Sequence, residues 1–164
     1  MAFESLYDNF IAEYYDLSPI VTGRKDAHFY VSAAKEFGEP VLELGCGSGR
    51  VTLAVGQAGF RITELDLSQT MLAQAQGKIA KLPKEVRSRV TLVQGNMTNF
   101  DLDERFRLVI IPFRPFQRIR PCTAGKGWAT NYQCARMRYF STEVPFAATG
   151  TLNCAAHAAV FVYL

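Results

Sequence analysis

The chain has 164 residues, of which 49% are hydrophobic, and this length supports one globular domain with a core. Its 18 basic and 15 acidic residues nearly balance, which argues against a protein that binds nucleic acid or an anionic membrane through its charge. The sequence contains no apolar run of 18 residues, and it begins without the basic flank and apolar core of a signal peptide. We therefore expect a cytoplasmic protein with neither a membrane nor a nucleic acid as partner.

The first predicted element is a helix that ends near Phe37. Its apolar residues recur at helical spacing and include Ala27, Tyr30, Val31 and Ala34. Gly38 and Pro40 follow, and residues of these two types end helices. The spacing therefore predicts a helix with one apolar face.

Strands and helices then alternate along the chain. Four apolar segments are predicted to be strands, at Val41–Leu44, 61–66, 90–93 and Leu108–Ile111. The helix after the first strand has its apolar face at Val51, Ala54, Val55 and Ala58. The helix after the second strand is capped by Ser68 and buries Met71, Leu72, Ala75 and Ile79. This alternation predicts an α/β fold with a doubly wound parallel sheet.

The pattern changes after Gln117. Residues 118–164 carry five basic residues and one acidic residue, and prolines and glycines interrupt them. Only one strand is predicted in this region, at 159–164. We therefore divide the chain into a domain at 1–117 and an atypical tail at 118–164, and we expect the C-terminal strands of the sheet to be incomplete.

A glycine-rich loop follows the first strand. Gly45, Gly47 and Gly49 allow the backbone to turn sharply and to approach a ligand closely. The spacing is G-x-G-x-G, because Arg50 stands where the dinucleotide fingerprint has its third glycine. Asp66 ends the second strand about 20 residues later, where a carboxylate can accept hydrogen bonds from ribose hydroxyls. Loop and acid together predict a cofactor site. The scattered cysteines and histidines predict no metal site and no disulfide framework.

At these residues the chain resembles the class I S-adenosylmethionine-dependent methyltransferases, in V-L-E-L-G-C-G-S-G-R at 41–50 and L-D-L-S at 65–68. The likeness to small soluble bacterial members extends to Tyr-Asp at 7–8, Tyr-Tyr-Asp at 14–16, Gln-Gly-Asn-Met at 94–97 and Leu-Val-Ile-Ile-Pro-Phe at 108–113. It covers about residues 1–117. The resemblance implies a Rossmann-like sheet, S-adenosyl-L-methionine as cofactor, and methyl transfer to an acceptor.

The resemblance also implies which residues form the site. Glu43 would orient the glycine loop and reach the methionine end of the cofactor, Asp66 would hold the ribose, and Leu67 would lie beside the adenine. The other implied cofactor residues are Arg24, Gly45, Cys46, Gly47, Asn96 and Met97. The side chain of Cys46 is interpreted as a small packing group. For catalysis we select the Tyr15 hydroxyl, and for substrate contacts Tyr7, Phe113 and Arg114.

Several alternatives remain open from the sequence. Ile-Ile-Pro-Phe at 110–113 replaces the Asp/Asn-Pro-Pro-aromatic signature of nucleic-acid amino-methyltransferases, which favours a small-molecule acceptor. A NAD-dependent oxidoreductase is disfavoured by Arg50. The alternative of a non-catalytic or truncated cofactor-binding chain is motivated by the tail, in which the family's C-terminal elements are not recognisable. The basic, proline-punctuated composition of the tail resembles a segment read in a different frame. Such a chain would leave Leu108–Ile111 as an uncovered edge prone to self-association, unless 159–164 caps it within the chain or across a dimer.

Overall fold

The computed structural model describes residues 14–97, 99–112, 137–140 and 159–163. Within these residues, one six-stranded sheet has the order β3-β2-β1-β4-β6-β5. Strands β1 to β6 are, in chain order, Val41–Leu44, Ile62–Asp66, Val90–Gln94, Leu108–Ile111, Met137–Phe140 and Ala159–Tyr163. The strands predicted in residues 1–117 are all present, and the end of each lies within one residue of its prediction.

The first four strands form the parallel part of the sheet. β1 pairs in parallel with β2 and with β4, and β2 pairs in parallel with β3. β1 and β4 are buried along their whole length, as expected of strands that are covered on both faces. The prediction of a doubly wound α/β fold is therefore confirmed.

The helices α1 to α5 are Pro19–Thr22, Ala27–Phe37, Arg50–Gln57, Gln69–Ile79 and Lys84–Arg87. The predicted cap of α4 is present, since the Ser68 hydroxyl oxygen accepts a hydrogen bond from the Met71 amide. The predicted buried face of α4 is also confirmed. The short helices α1 and α5 have no counterpart in the prediction. No helix in the described part of the chain is long and apolar enough to cross a membrane.

Apolar side chains cover both faces of the sheet. Helices α2 and α3 pack on one face, in a cluster that comprises Tyr30, Ala33, Ala34, Val41, Val51, Val55, Ile62, Leu108 and Ile110. On the other face, buried strand residues pack against half-buried side chains that follow β3, which are Met97, Phe100, Leu102 and Phe106. Burial of this apolar surface is the main term that favours the fold.

The buried face of α3 differs from the prediction by one position. Thr52 and Gly56 are buried in place of Ala54 and Ala58, which the apolar spacing had selected. A Cβ atom on Gly56 would lie 2.9 Å from Val90 Cγ2, so α3 approaches β3 closely at this glycine. The prediction was wrong here because the periodicity counted apolar side chains alone, and this face needs a hydroxyl and a glycine.

The tail contributes two antiparallel strands. β6 pairs with β4 on the side opposite β1, and β5 pairs with β6. The predicted strand at 159–164 is therefore present as β6, whereas β5 was not predicted. The sequence left two arrangements open for β4, an uncovered edge and an edge capped by 159–164. The second is present, because β6 caps β4 within the same chain. Among the described strands, β3 and β5 form the edges.

Candidate cofactor site

The candidate site lies at the carboxyl ends of β1, β2 and β3. β1 is the point at which the strand order reverses, because β2 and β3 extend to one side and β4 returns on the other. Doubly wound sheets bind their ligands at this point. The Gly45 amide donates to the Leu65 carbonyl over 2.8 Å, and the Gly95 amide donates to the Asp66 carbonyl over 2.9 Å. These bonds bring the loops that follow the three strands side by side.

Positive φ angles define the glycine loop. Gly45, Gly47 and Gly49 have φ values of 69°, 61° and 81°, in the left-handed region that favours glycine. A Cβ atom on Gly49 would lie 3.1 Å from Ala75 Cβ and 3.2 Å from a carboxyl oxygen of Glu64. Gly49 is therefore required by its backbone conformation and by the close approach of α4.

Gly47 faces the N-terminal part of the described chain. A Cβ atom at this position would lie 3.5 Å from both Cε1 and the hydroxyl oxygen of Tyr15. The Tyr15 ring therefore lies beside the loop, with its hydroxyl oriented to the Gly47 backbone. The role of this hydroxyl in catalysis remains a prediction.

Asp66 connects the loop to the end of β2. Its Oδ2 atom accepts a hydrogen bond from the Gly47 amide over 2.8 Å, and its Oδ1 atom accepts from the Ser68 amide over 2.9 Å. Oδ2 also faces the Cys46 thiol at 3.8 Å, whereas Oδ1 keeps a further lone pair that can accept a hydrogen bond. The side chain is half-buried, so a ligand hydroxyl can still reach it.

Two buried glutamates lie beneath the loop. Glu43 and Glu64 are paired across β1 and β2, and their exposed fractions are 1% and 0%. The Thr52 hydroxyl donates to Glu43 Oε2, and the Cys46 thiol donates to Glu64 Oε1 over 2.7 Å. The second oxygen of Glu64 has no hydrogen-bond partner among the described residues. Glu43 lies beneath the glycine loop, as the orienting role expected of it requires. Its contact with the cofactor remains a prediction.

Burial raises the pKa values of the two glutamates and of Cys46. Burial, and then the charge of Glu64, raise the pKa of Glu43 well above its usual value. Burial also raises the pKa of Glu64, against the opposing effect of the bond from Cys46. Burial and the nearby carboxylates raise the pKa of the Cys46 thiol, which argues against a nucleophile. Among the described residues, no three His, Cys, Asp or Glu side chains could together hold a metal ion.

Asp16 connects the N-terminal segment to both the loop and α4. Its Oδ1 atom accepts from the Ser48 hydroxyl over 2.6 Å, and its Oδ2 atom lies 2.5 Å from Lys78 Nζ. Lys78 also donates to the Ser48 carbonyl over 2.9 Å. Three residues that are far apart in sequence therefore form one closed polar cluster beside the loop.

Arg24 lies in a second ionic group, at the start of α2. Arg50 donates two hydrogen bonds to the Asp26 carboxylate, over 2.5 and 3.2 Å. Arg24 Nη1 lies 3.7 Å from the same carboxylate. Asp26 therefore fixes Arg50, the residue that replaces the third glycine of a dinucleotide loop, to the chain segment that contains Arg24.

The remaining predicted residues have different environments. Leu67 is 43% exposed directly after β2, and Asn96 is exposed after β3. Met97 packs against the core beneath the same edge of the sheet. Tyr7, Phe113 and Arg114 lie outside the described residues. Arg24, Tyr15 and all the other predicted cofactor residues are within the described part of the chain.

Sequence reasoning missed several residues of the site. These are Asp16, Ser48, Thr52, Glu64 and Lys78. Glu64 had a detectable signal, because a charged residue between Thr63 and Leu65, in the middle of β2, calls for a partner when it is buried. Asp16 stands in the Tyr-Tyr-Asp run of the resemblance, which assigns it no role, and Lys78 is a single charged residue with no pattern around it.

Comparison with known proteins places these observations in a family. The family model for the methyltransferase domain matches residues 41–137. The chain is 30% identical over 118 residues to a cypemycin N-terminal methyltransferase from a Streptomyces species, covering 71% of this chain and 46% of the relative. It is 29% identical over 113 residues to a demethylmenaquinone methyltransferase from Tropheryma whipplei, covering 64% and 44%. The chain thus spans less than half the length of these curated relatives.

Solved structures agree with this result. The glycopeptide N-methyltransferase MtfA in complex with S-adenosyl-L-methionine is 40% identical, with a TM-score of 0.51, and the match covers 56% of this chain and 39% of MtfA. The methyltransferase domain of bacterial CtHen1-C is 18% identical, with a TM-score of 0.51, and covers 84% of this chain and 96% of that domain. The second match shows likeness of the fold alone.

Proposed function

The chain belongs to the methyltransferase domain family, and on this premise we propose that it binds S-adenosyl-L-methionine over the Gly45–Gly49 loop and transfers the methyl group to a small-molecule acceptor. The observation that carries the proposal is the hydrogen bond from the Gly47 amide to Asp66, which joins the glycine loop to the expected ribose-binding acid. The family assignment disagrees with the oxidoreductase alternative, in line with Arg50 at the third glycine position.

The chemistry of the described residues fits this cofactor. Asp66 Oδ1 keeps a lone pair for a ribose hydroxyl, and the three glycines of positive φ leave a loop backbone that a ligand can approach closely. Leu67 and Met97 offer apolar surface for an adenine ring at the same edge of the sheet. Arg24, which the resemblance assigns to the cofactor, carries a cation of the kind that pairs with the cofactor carboxylate, and it lies 3.7 Å from Asp26.

The protein's part in the reaction is alignment. The bound cofactor supplies a methyl group that is already activated on a sulfonium, so no dedicated base is compulsory. The glycine loop and Asp66 hold the methyl donor at the carboxyl ends of β1 and β2. Tyr15 lies against Gly47 from the N-terminal side, 3.5 Å from the position that a Cβ atom would take. Its hydroxyl is the catalytic group that we propose for the acceptor side.

The acceptor is the next unknown. Two similar proteins are, by name, an N-terminal methyltransferase and a glycopeptide N-methyltransferase. An amine nitrogen is therefore the first acceptor to test. Radiolabelled S-adenosyl-L-methionine, incubated with the chain and a panel of small amines, hydroxyl compounds and quinols, distinguishes these classes by the labelled product.

Calorimetric titration tests the binding step separately. We expect S-adenosylhomocysteine to bind with a stoichiometry of about one, and NAD not to compete. Binding without transfer to any acceptor would favour the non-catalytic alternative. Binding of NAD in place of S-adenosylhomocysteine would contradict the proposal.

The cytoplasmic location and the self-association expected from the sequence also remain proposals. Because β6 covers β4, self-association would have to use another edge, and β5 is the edge on that side of the sheet. Light scattering after size-exclusion chromatography tests self-association. Cell fractionation tests the cytoplasmic location.

A further inference from the structure

Residues 14–18, which we name the strap, lie across the glycine loop. The strap turns tightly, since the Leu17 amide donates to the Tyr14 carbonyl and the Ser18 amide donates to the Tyr15 carbonyl. Tyr15 points to Gly47, whereas Tyr14 and Leu17 are 50% and 71% exposed. Tyr14 and Leu17 therefore bury little apolar surface, and Tyr15 is the half-buried aromatic side chain of the strap.

Asp16 provides the polar attachment of the strap. One carboxylate oxygen accepts from the Ser48 hydroxyl, and the other faces Lys78 Nζ. Ser48 is 1% exposed, so its hydroxyl has lost water and depends on this acceptor. Lys78 reaches from α4 and also holds the Ser48 carbonyl, which closes the cluster.

We propose that Asp16 is a positioning residue: by joining Ser48 and Lys78 it helps to hold Tyr15 over Gly47, and loss of this attachment speeds the exchange of cofactor. The inference rests on the proposed function for the identity of the ligand. It assigns Asp16 no contact with the cofactor. Its effect on binding passes through the position of Tyr15.

The chemistry of the cluster explains why an aspartate is needed. An asparagine can accept from Ser48 but offers no charge to Lys78, and an alanine does neither. The side chains of Asp16 and Lys78 are 36% and 32% exposed, so water screens their ion pair. The attachment is therefore strong enough to bias the strap and weak enough to open, as ligand exchange requires.

The test compares wild type, Asp16→Asn, Asp16→Ala and Lys78→Met. We expect S-adenosylhomocysteine to dissociate about three- to tenfold faster from Asp16→Asn, measured by surface plasmon resonance, with a larger effect for alanine. Asp16→Asn and Lys78→Met should not add fully, because they remove the same ion pair. The matched control is Glu39→Gln, which removes an exposed ion pair with Arg61 away from the site and should leave dissociation unchanged.

Chymotrypsin reports on the strap without any ligand. We expect cleavage at Tyr14, Tyr15 or Leu17, identified by mass spectrometry, to be faster in Asp16→Asn than in wild type, while the thermal midpoint changes little. Equal cleavage and equal dissociation in wild type and Asp16→Asn would overturn the inference. If wild type binds no S-adenosylhomocysteine, the proposed function fails, and the cleavage comparison still decides whether Asp16 holds Tyr15.

Discussion

The Gly47 amide and the Asp66 carboxylate are joined by a hydrogen bond of 2.8 Å. This bond links the loop after β1 to the end of β2, so the two features that predict a cofactor site are one structural unit. Asp66 therefore shapes the loop and is also expected to hold the ribose.

Substitution of Asp66 should weaken cofactor binding. Asp66→Ala removes the acceptor for the Gly47 amide and for a ribose hydroxyl, and we expect a loss of about tenfold to a hundredfold in affinity for S-adenosylhomocysteine. Asp66→Asn keeps one acceptor oxygen and should lose less. Calorimetry measures both, and equal affinity of wild type and Asp66→Ala would remove Asp66 from the site.

Substitution of Gly47 should be worse for binding than substitution of Cys46. Gly47→Val places a β-branched side chain at a φ of 61° and directs it to Tyr15, so we expect binding to be lost. Cys46→Ala removes the thiol that donates to Glu64 and should cost about 1 kcal/mol of stability while binding persists.

Gly77 is the matched glycine control for this comparison. It lies in α4, and a Cβ atom there would meet nothing within 4 Å. Gly77→Ala should therefore raise stability by about 0.5–1 kcal/mol and leave binding intact. Loss of binding in Cys46→Ala, with the fold retained, would show that the packing interpretation of Cys46 is wrong.

The buried glutamates predict that stability falls as pH rises. An unfolded glutamate has a pKa near 4.5, and burial raises the pKa of Glu64 in the folded chain. The folded state therefore binds the proton more tightly, so its contribution is complete below about pH 4.5 and is lost as pH rises through the folded pKa. In that window the slope approaches about 1.4 kcal/mol per pH unit for each such carboxyl.

Glu64→Gln should remove the contribution of Glu64 to this slope. The glutamine amide keeps an acceptor for the Cys46 thiol and places no charge beside Glu43. We therefore expect the free energy of unfolding of the variant to rise relative to that of wild type as pH rises from 5 to 8. Urea unfolding at several pH values measures the difference. A constant deficit of the variant at every pH would contradict this account. Glu39→Gln is the control. Bonds from Arg61 lower the pKa of Glu39, so the contribution of Glu39 changes only below about pH 4.5, and this variant should differ from wild type by a constant amount between pH 5 and 8.

Tyr30 offers a test of packing alone. Its ring is fully buried in the core, and its hydroxyl has no hydrogen-bond partner among the described residues. Tyr30→Phe removes a desolvated polar group, so we expect the free energy of unfolding to be unchanged or to rise by about 1 kcal/mol. Tyr30→Ala should lose about 3–5 kcal/mol because it leaves a cavity. A large loss in Tyr30→Phe would mean that the hydroxyl has a partner.

The parallel part of the fold could be predicted because its signals are local. β1 and β4 are almost wholly apolar, and the Ser68 cap and the face of α4 depend on residues within a few positions of one another. β5 was missed because its four residues include Arg138 and form neither an apolar run nor a strict alternation. The environment of β4 stayed open because the sequence could not decide whether 159–164 would cover this edge, nor whether it would do so within the chain or across a dimer.

The candidate site also has residues that the sequence predicts and residues that it does not. The glycine loop and Asp66 were found from spacing, since backbone turns and strand ends are set by local residues. Thr52 was missed because its burial follows from Glu43, nine positions away and on another element. Asp16 and Lys78 meet only in the folded chain, 62 positions apart, as the pair Lys78–Asp16 at 2.5 Å. Polar contacts of this kind carry no periodic signal.

The central claim is that the Gly45–Gly49 loop and Asp66 form a site for S-adenosyl-L-methionine. Isothermal titration of the folded wild-type chain with S-adenosylhomocysteine tests it most directly. The account predicts saturable binding with a stoichiometry of about one and a dissociation constant well below about 1 mM. Absence of saturable heat up to that concentration, from a chain whose unfolding transition is cooperative, would contradict it.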